Sequence, residues 1–267
     1  PVASPSAEPP PATSTPAQTA TPASTEAPDV AAILDAVRRD YGAPGALAVL
    51  VRDGERTFAA SGTADTAGTP ITESTRFRIA SITKPIVAAL VLDAVDRGEL
   101  SLDDVVGDLL PGVLRADPPV TVRQLLDHTS GIYDESNGIA SQDQLQADVA
   151  ALDDPDLRAE AQADLEKALA GESVIASDRL IVALSETHER SFAPGAGYHY
   201  SNTNYQLAAM VLDAATGQPL DRLLQARVID PLRLQLTMIA PPDLGSPELR
   251  GYGTSTEDGS LVDLTDD

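Results

Sequence analysis

Apolar residues recur at helical spacing at Ile33, Leu34 and Val37. That spacing predicts a helix over Val30 to about Asp40, stopped by Tyr41-Gly42-Ala43-Pro44-Gly45. A short apolar run from Ala46 to Val51, the pair Asp53-Gly54 and a second run from Arg56 to Ala60 form the pattern of a β-hairpin. A lone hairpin is not stable in water, so further strands are expected to pair with it. Thr83 to about Arg97 is again helix-patterned and closed by Gly98, and Val120 to Asp127 predicts another short helix. Pro85 fits if the helix starts just before it, because first-turn amides need no intrahelical partner. Ser81 then lies at a helix N-terminus.

Between Ser141 and about Gly171 the chain is acidic and alanine-rich, with leucines at 145, 152, 157, 165 and 169. Asp154-Pro155-Asp156 should break this stretch into two helices, expected as a solvated hairpin on the domain surface rather than a substrate lid. Ser177 to Thr187 predicts a further helix, and Thr203 to about Ala215 another that runs to Gly217. Pro194-Gly195-Ala196-Gly197 makes a tight turn ahead of Tyr198 to Asn202. The tripeptide Tyr200-Ser201-Asn202 therefore sits on a short connection between helices, the kind of loop that aims side chains into a cleft.

Composition narrows the classes. Residues 1–29 are almost wholly Pro, Ala, Ser and Thr, and read as a semi-rigid linker that holds a domain away from a membrane or cell envelope. The remaining 30–267 are long enough for one domain. In a chain of 267 residues, acidic side chains outnumber basic ones by 41 to 18, a field that repels phosphate backbones, so no nucleic-acid partner is expected. With no cysteine in the sequence, disulfides, thiolate metal sites and cysteine nucleophiles are excluded together. No apolar run has membrane-spanning length, and the first residue, Pro1, leads to the expectation that an export segment has been removed and that the protein is extracellular or held at the envelope.

The candidate chemistry starts at Ser81-Ile82-Thr83-Lys84. Residues three apart share one helix face, so the Lys84 amine can reach the Ser81 hydroxyl and help remove its proton. That makes a serine nucleophile without a histidine. At a helix start the Ser81 amide can also point at a developing oxyanion. His128, in His128-Thr129-Ser130-Gly131, reads as part of a structural loop rather than a catalytic base, and His199 as a bystander. His188 beside Glu189 lacks the second histidine of a metalloprotease helix, so no metal and no cofactor are expected.

The order Phe77-Arg78-Ile79-Ala80-Ser81-Ile82-Thr83-Lys84, then Val120 through Gly131, then Phe192-Ala193-Pro194-Gly195 and Tyr200-Ser201-Asn202-Thr203-Asn204-Tyr205, resembles the serine penicillin-recognising enzymes. Within them it is most similar to secreted actinobacterial D-alanyl-D-alanine carboxypeptidases and class C β-lactamases, from about Val30 onward. The resemblance implies a two-part β-lactamase/transpeptidase-like fold: an α/β part with an antiparallel sheet flanked by helices, and an all-α subdomain over about 81–216. It implies that Ser81 forms an acyl-enzyme with a D-alanyl peptide or β-lactam, that Lys84 stands beside it, that Tyr200 relays a proton and that Asn202 orients the substrate. Which of Lys84 and Tyr200 takes the serine proton stays open. The implied partner is a peptidoglycan stem peptide or a β-lactam. The leading expectation is a D,D-carboxypeptidase; a class C-like β-lactamase or esterase of the same fold and a non-catalytic envelope peptide-binding module are the alternatives.

One departure stands out. The family's third motif, a Lys- or His-Thr/Ser-Gly triplet on an edge strand, has no match after Asn202. The expectation is a chain cut short of its last strands and closing helix, and poorly active by itself, because that strand supplies the second oxyanion amide.

Overall fold

A computed structural model describes residues 29–115, 117–135, 141–170, 176–234, 249–254 and 261–263. The linker expected over 1–29 lies outside them except for Asp29, whose carboxylate accepts from the Ala32 amide and caps helix α1, Val30–Asp40. Strands β1, Gly45–Arg52, and β2, Glu55–Gly62, pair antiparallel with Leu47 opposite Ala60 and Val49 opposite Phe58. The hairpin is tight where it begins and ends. A Cβ on Gly45 would stand 1.9 Å from the Thr63 carbonyl oxygen, and one on Gly62 would stand 2.0 Å from that of Pro44. Helix α1 packs on this hairpin. Arg38 of α1 donates to Ser61 and to the Ala43 carbonyl, and Ser61 donates to Asp35. Among the described residues no further strand joins the hairpin.

Helix α2, Thr83–Asp96, carries the main core stripe at Val87, Leu90, Val91 and Ala94, the i, i+3, i+4, i+7 positions of one face. A 3-10 turn over Ala80–Ile82 precedes it, so Ser81 lies one turn ahead of the α-helix rather than in its first turn. Pro85 falls within the first turn, where its missing N–H costs nothing. Two short helices follow, α3, Val106–Leu109, and α4, Val122–Leu126. Helix α4 opens on a capping box: Thr121 accepts from the Gln124 amide while Gln124 accepts from that of Thr121.

The acidic stretch forms α5, Gln142–Ala151, and α6, Pro155–Leu169, with the break at Leu152–Asp154 and Pro155 at the first helical position. This hairpin is not simply solvated. Val149, Leu152 and Ala161 close on Leu180 and Leu184 of α7, Asp178–Ser185, as a satellite core. Buried leucines there each contribute about 1.5–3 kcal/mol.

Helix α8, Thr203–Thr216, ends on Gly217 in the left-handed region and is the central strut: α2, α4 and α7 all pack against it. Its Leu207, Ala208, Val211 and Leu212 join the α2 stripe, Leu125 and Ile132 in the principal core. A helical stretch that the sequence pattern did not predict follows as α9, Leu220–Leu224, a π turn, Gln225–Ile229, and α10, Asp230–Leu232. Strands β3, Tyr252–Thr254, and β4, Leu261–Asp263, pair with each other in a second two-stranded sheet.

Candidate active site

The site forms where the start of α2, the loop after α4 and the loop before α8 meet. Lys84 donates to the Ser81 hydroxyl at 3.0 Å, as expected for residues three apart at a helix start. The Ser81 oxygen is 2.8 Å from the Tyr200 hydroxyl, although 119 positions separate the two residues. Lys84 also donates to Asn202 Oδ1 at 2.7 Å. The structure therefore brings Ser81, Lys84, Tyr200 and Asn202 into one hydrogen-bonded chain.

The backbone that presents Ser81 is strained. Ala80 sits at φ 43°, in the left-handed region that non-glycine residues rarely adopt. Ala80 opens the 3-10 turn and stands immediately before Ser81.

That loop is held by the segment after α4. His128 and Thr129 accept through their carbonyls from the amides of His199 and Gly195, and Gly131 accepts from Ser191. The buried His128 ring adds a side-chain tie, since its Nδ1 accepts from the Ser201 amide at 3.3 Å and from Asn204 Nδ2 at 3.2 Å. Those bonds require an unprotonated Nδ1 and make the ring a fixed acceptor. Ser201 donates to the Tyr133 carbonyl and Ser130 donates to Asn204. Gly131 is required by geometry: it adopts φ 74°, and a Cβ there would lie 2.2 Å from the Phe192 carbonyl oxygen. His199 contributes its backbone amide to this frame, and its side chain is exposed.

Electrostatics tune the phenol. The Lys84 ammonium at its hydroxyl, first, and the Ser81 hydrogen bond, second, hold Tyr200 below the usual tyrosine range despite partial burial. Lys84 Nζ also lies 5.1 Å from the Tyr200 ring centroid and 5.8 Å from that of Tyr205. Burial, and then the Lys84 charge, push His128 below the usual histidine range. With His128 neutral and turned to the loop, the groups touching Ser81 that can take its proton are Tyr200 as a phenolate beside the Lys84 ammonium, or Lys84 in its neutral amine form.

Sequence reasoning missed the acidic residues behind Asn202. Asp134 Oδ1 accepts from the Asn202 amide at 3.0 Å and from its Nδ2 at 3.2 Å. Glu135 follows, its carboxyl pushed up to about 6 by burial and by the charges of Asp134 and Asp148. His188 meets Asp148 at 3.0 Å and stacks on Tyr133 with ring centroids 3.9 Å apart, so its role is structural. In a chain this rich in carboxylates, nothing local marks Asp134 as different from its neighbours. Among the described residues no cluster of histidines and carboxylates is arranged to hold a metal ion.

The fold and the Ser81–Lys84–Tyr200 arrangement are of the serine penicillin-recognising type. The Beta-lactamase family model matches residues 5–266, and the chain belongs to that family. It is 39% identical over 212 residues to esterase EstB of Burkholderia gladioli, covering 76% of this chain and 49% of that protein. It is 29% identical over 241 residues to penicillin-binding protein 4 of Amycolatopsis lactamdurans, covering 86% of this chain and 55% of that one. A D-stereospecific amidohydrolase from Streptomyces sp. superposes with a TM-score of 0.69 at 30% identity, over 90% of this chain and 65% of the other. The chain thus spans about half the length of the curated relatives it matches.

Proposed function

We propose that the whole protein hydrolyses short acyl esters through a Ser81 acyl-enzyme. The observation that carries this reading is the continuous contact of Lys84 with Ser81 and of Ser81 with Tyr200, at 3.0 and 2.8 Å. Ser81 attacks the ester carbonyl as its proton passes to the neutral Lys84 amine or the Tyr200 phenolate, and the phenol delivers a proton to the departing alkoxide. Water, giving up a proton to the same base, then adds to the acyl-enzyme; that proton returns to Ser81 as the acid leaves. Asn202 holds Lys84 on the side of the cleft facing the nucleophile.

Support for an ester comes from the higher identity to EstB and from charge. A chain of net charge −23 presents an average field against the carboxylate that β-lactams and D-alanyl peptides both carry, and a neutral ester meets no such field. The second reading is a D-amino-acyl peptidase or amidase, favoured by the likeness to the Streptomyces amidohydrolase.

Rates with p-nitrophenyl butyrate, a D-amino-acyl p-nitroanilide and a fluorescent penicillin separate the two. Ser81-dependent turnover with a kcat/KM for the ester about tenfold or more above that for the anilide is expected. Such a ratio corresponds to about 1.4 kcal/mol in activation free energy. The reverse preference, or a long-lived penicilloyl adduct with negligible ester turnover, would overturn the ester reading in favour of the second.

A further inference from the structure

We propose that Asp134 is a positioning residue for acyl transfer, fixing the Asn202 side-chain amide so that its oxygen, not its nitrogen, faces Lys84. The proposal rests on the acyl-enzyme reading of Ser81. Its basis is an asymmetry at Asn202. A carboxamide is nearly symmetric in shape, with a donor at one end and an acceptor at the other. A half-turn about its last bond would exchange the two ends with little steric change.

Asp134 makes that exchange unfavourable. Its carboxylate is 6% exposed, and Oδ1 receives both the Asn202 backbone N–H, at 3.0 Å, and Nδ2–H, at 3.2 Å. The second oxygen, Oδ2, lies 3.5 Å from the same Nδ2. Flipping the amide would set Oδ1 against this carboxylate and Nδ2 against the Lys84 Nζ, replacing both attractive contacts by like-facing pairs. In the observed orientation Oδ1 receives the Lys84 hydrogen bond at 2.7 Å. That bond occupies one ammonium proton and leaves another to reach Ser81 Oγ, 3.0 Å away. The carboxylate therefore sets the geometry of the Lys84–Ser81 contact without touching substrate, and acts only through Asn202. Burial strengthens the arrangement, because charge-assisted hydrogen bonds away from water hold their direction better than exposed ones.

Three variants of the full chain separate geometry from charge. Asp134→Asn keeps a carbonyl oxygen able to accept from both Asn202 donors while removing the charge. Asp134→Ala removes the acceptor, and Asp134→Leu, closer in volume, does so without leaving as large a void should the alanine variant fail to fold. The readouts are the rate of Ser81 labelling by a fluorophosphonate probe and the 15N-resolved Asn202 side-chain NH2 resonances. In the alanine or leucine variant, labelling is expected to slow by about tenfold to a hundredfold, the range for losing hydrogen bonds to a charged acceptor. The hydrogen-bonded Asn202 NH2 pair should also lose its shift dispersion and exchange protection. The asparagine variant should restore both within about threefold, a difference smaller than one neutral hydrogen bond is worth.

Unchanged Asn202 resonances and labelling in a folded Asp134→Ala or Asp134→Leu protein would overturn the proposal. So would an asparagine variant as impaired as alanine, since charge rather than orientation would then govern. If wild-type protein is not labelled at all while the Asn202 resonances respond as described, the acyl-enzyme reading fails and the orienting role of Asp134 stands.

Discussion

The imidazole of His128 is stacked on the phenol ring of Tyr200, with centroids 4.5 Å apart and planes inclined by 30°. The same ring accepts through Nδ1 from the backbone of the loop that carries Tyr200. One buried side chain therefore sets both the height and the path of the loop that delivers the phenol to Ser81.

Neutral His128 is what the fold requires, and this gives an acid limb to stability. Its folded pKa lies below the ordinary 6.5, so the unfolded chain binds the proton more readily. The stabilisation is complete above pH 6.5 and is lost as pH falls from there through the folded value. Urea midpoints measured between pH 5 and 8 should decline on acidification. His128→Gln, which keeps an acceptor for the Ser201 amide, should flatten that decline while slowing Ser81 labelling through loss of the stack.

Glu135 contributes the opposite slope. Its carboxyl, pushed up to about 6 from an ordinary 4.5, is harder to ionise in the folded protein. Folding is therefore unhindered by Glu135 below pH 4.5, loses ground as pH rises toward 6, and carries a constant cost above that. Glu135→Gln should raise the urea midpoint at pH 7 and leave it unchanged at pH 4. Comparing the two titrations isolates the contribution.

Lys84→Ala and Tyr200→Phe should each reduce acylation by about a hundredfold to ten-thousandfold, the usual worth of a positioned proton acceptor or donor. The double variant should be scarcely worse than the poorer single one, because residues that act on the same proton are not additive. Rates that multiply would show that Lys84 and Tyr200 work independently. In Lys84→Ala the Tyr200 phenol also loses its main stabiliser, so any activity dependent on a phenolate should move to higher pH.

Gly131→Ala tests the frame that holds the Tyr200 loop. A methyl group 2.2 Å from the Phe192 carbonyl oxygen, at a backbone φ of 74°, cannot be accommodated without moving that loop. Stability should fall by at least about 1 kcal/mol, read by chemical denaturation, and Ser81 labelling should slow with it.

Ala80→Gly should do the reverse for stability. Relieving the left-handed strain at φ 43° is worth about 1 kcal/mol in the folded state, part of which the greater freedom of unfolded glycine offsets. A higher denaturation midpoint with slower labelling is expected, since the turn that carries Ser81 becomes looser. Faster labelling would argue that the strain does not serve the nucleophile.

Much of the fold was legible because it is local. The helix Val30–Asp40 begins and ends where the apolar spacing and the Tyr41-Gly42 stop place it, and Gly217 closes α8 as expected. The capping and turn residues carry such boundaries by themselves. Leu220–Leu224 escaped detection because its apolar run is too short to show a period. The acidic hairpin was legible as helices and expected as a solvated surface hairpin; the satellite core that Val149 and Ala161 form with Leu180 and Leu184 of the next helix was not legible, because it depends on how three helices pack.

The sequence by itself determined that Ser81 and Lys84 would touch, because three residues of helix rise leave two side chains no other face to share. Through the resemblance its motif order carries, it also pointed to Tyr200 and Asn202 as the phenol and the amide beside that pair. Only the tertiary structure decided that Tyr200 reaches Ser81 across 119 positions, which backbone and side-chain donors the His128 Nδ1 accepts from, and that Asp134 lies behind Asn202. Those contacts follow from α2, α4 and α7 closing on α8, and no local pattern encodes which surface points of separate helices come into register when a shared core is packed.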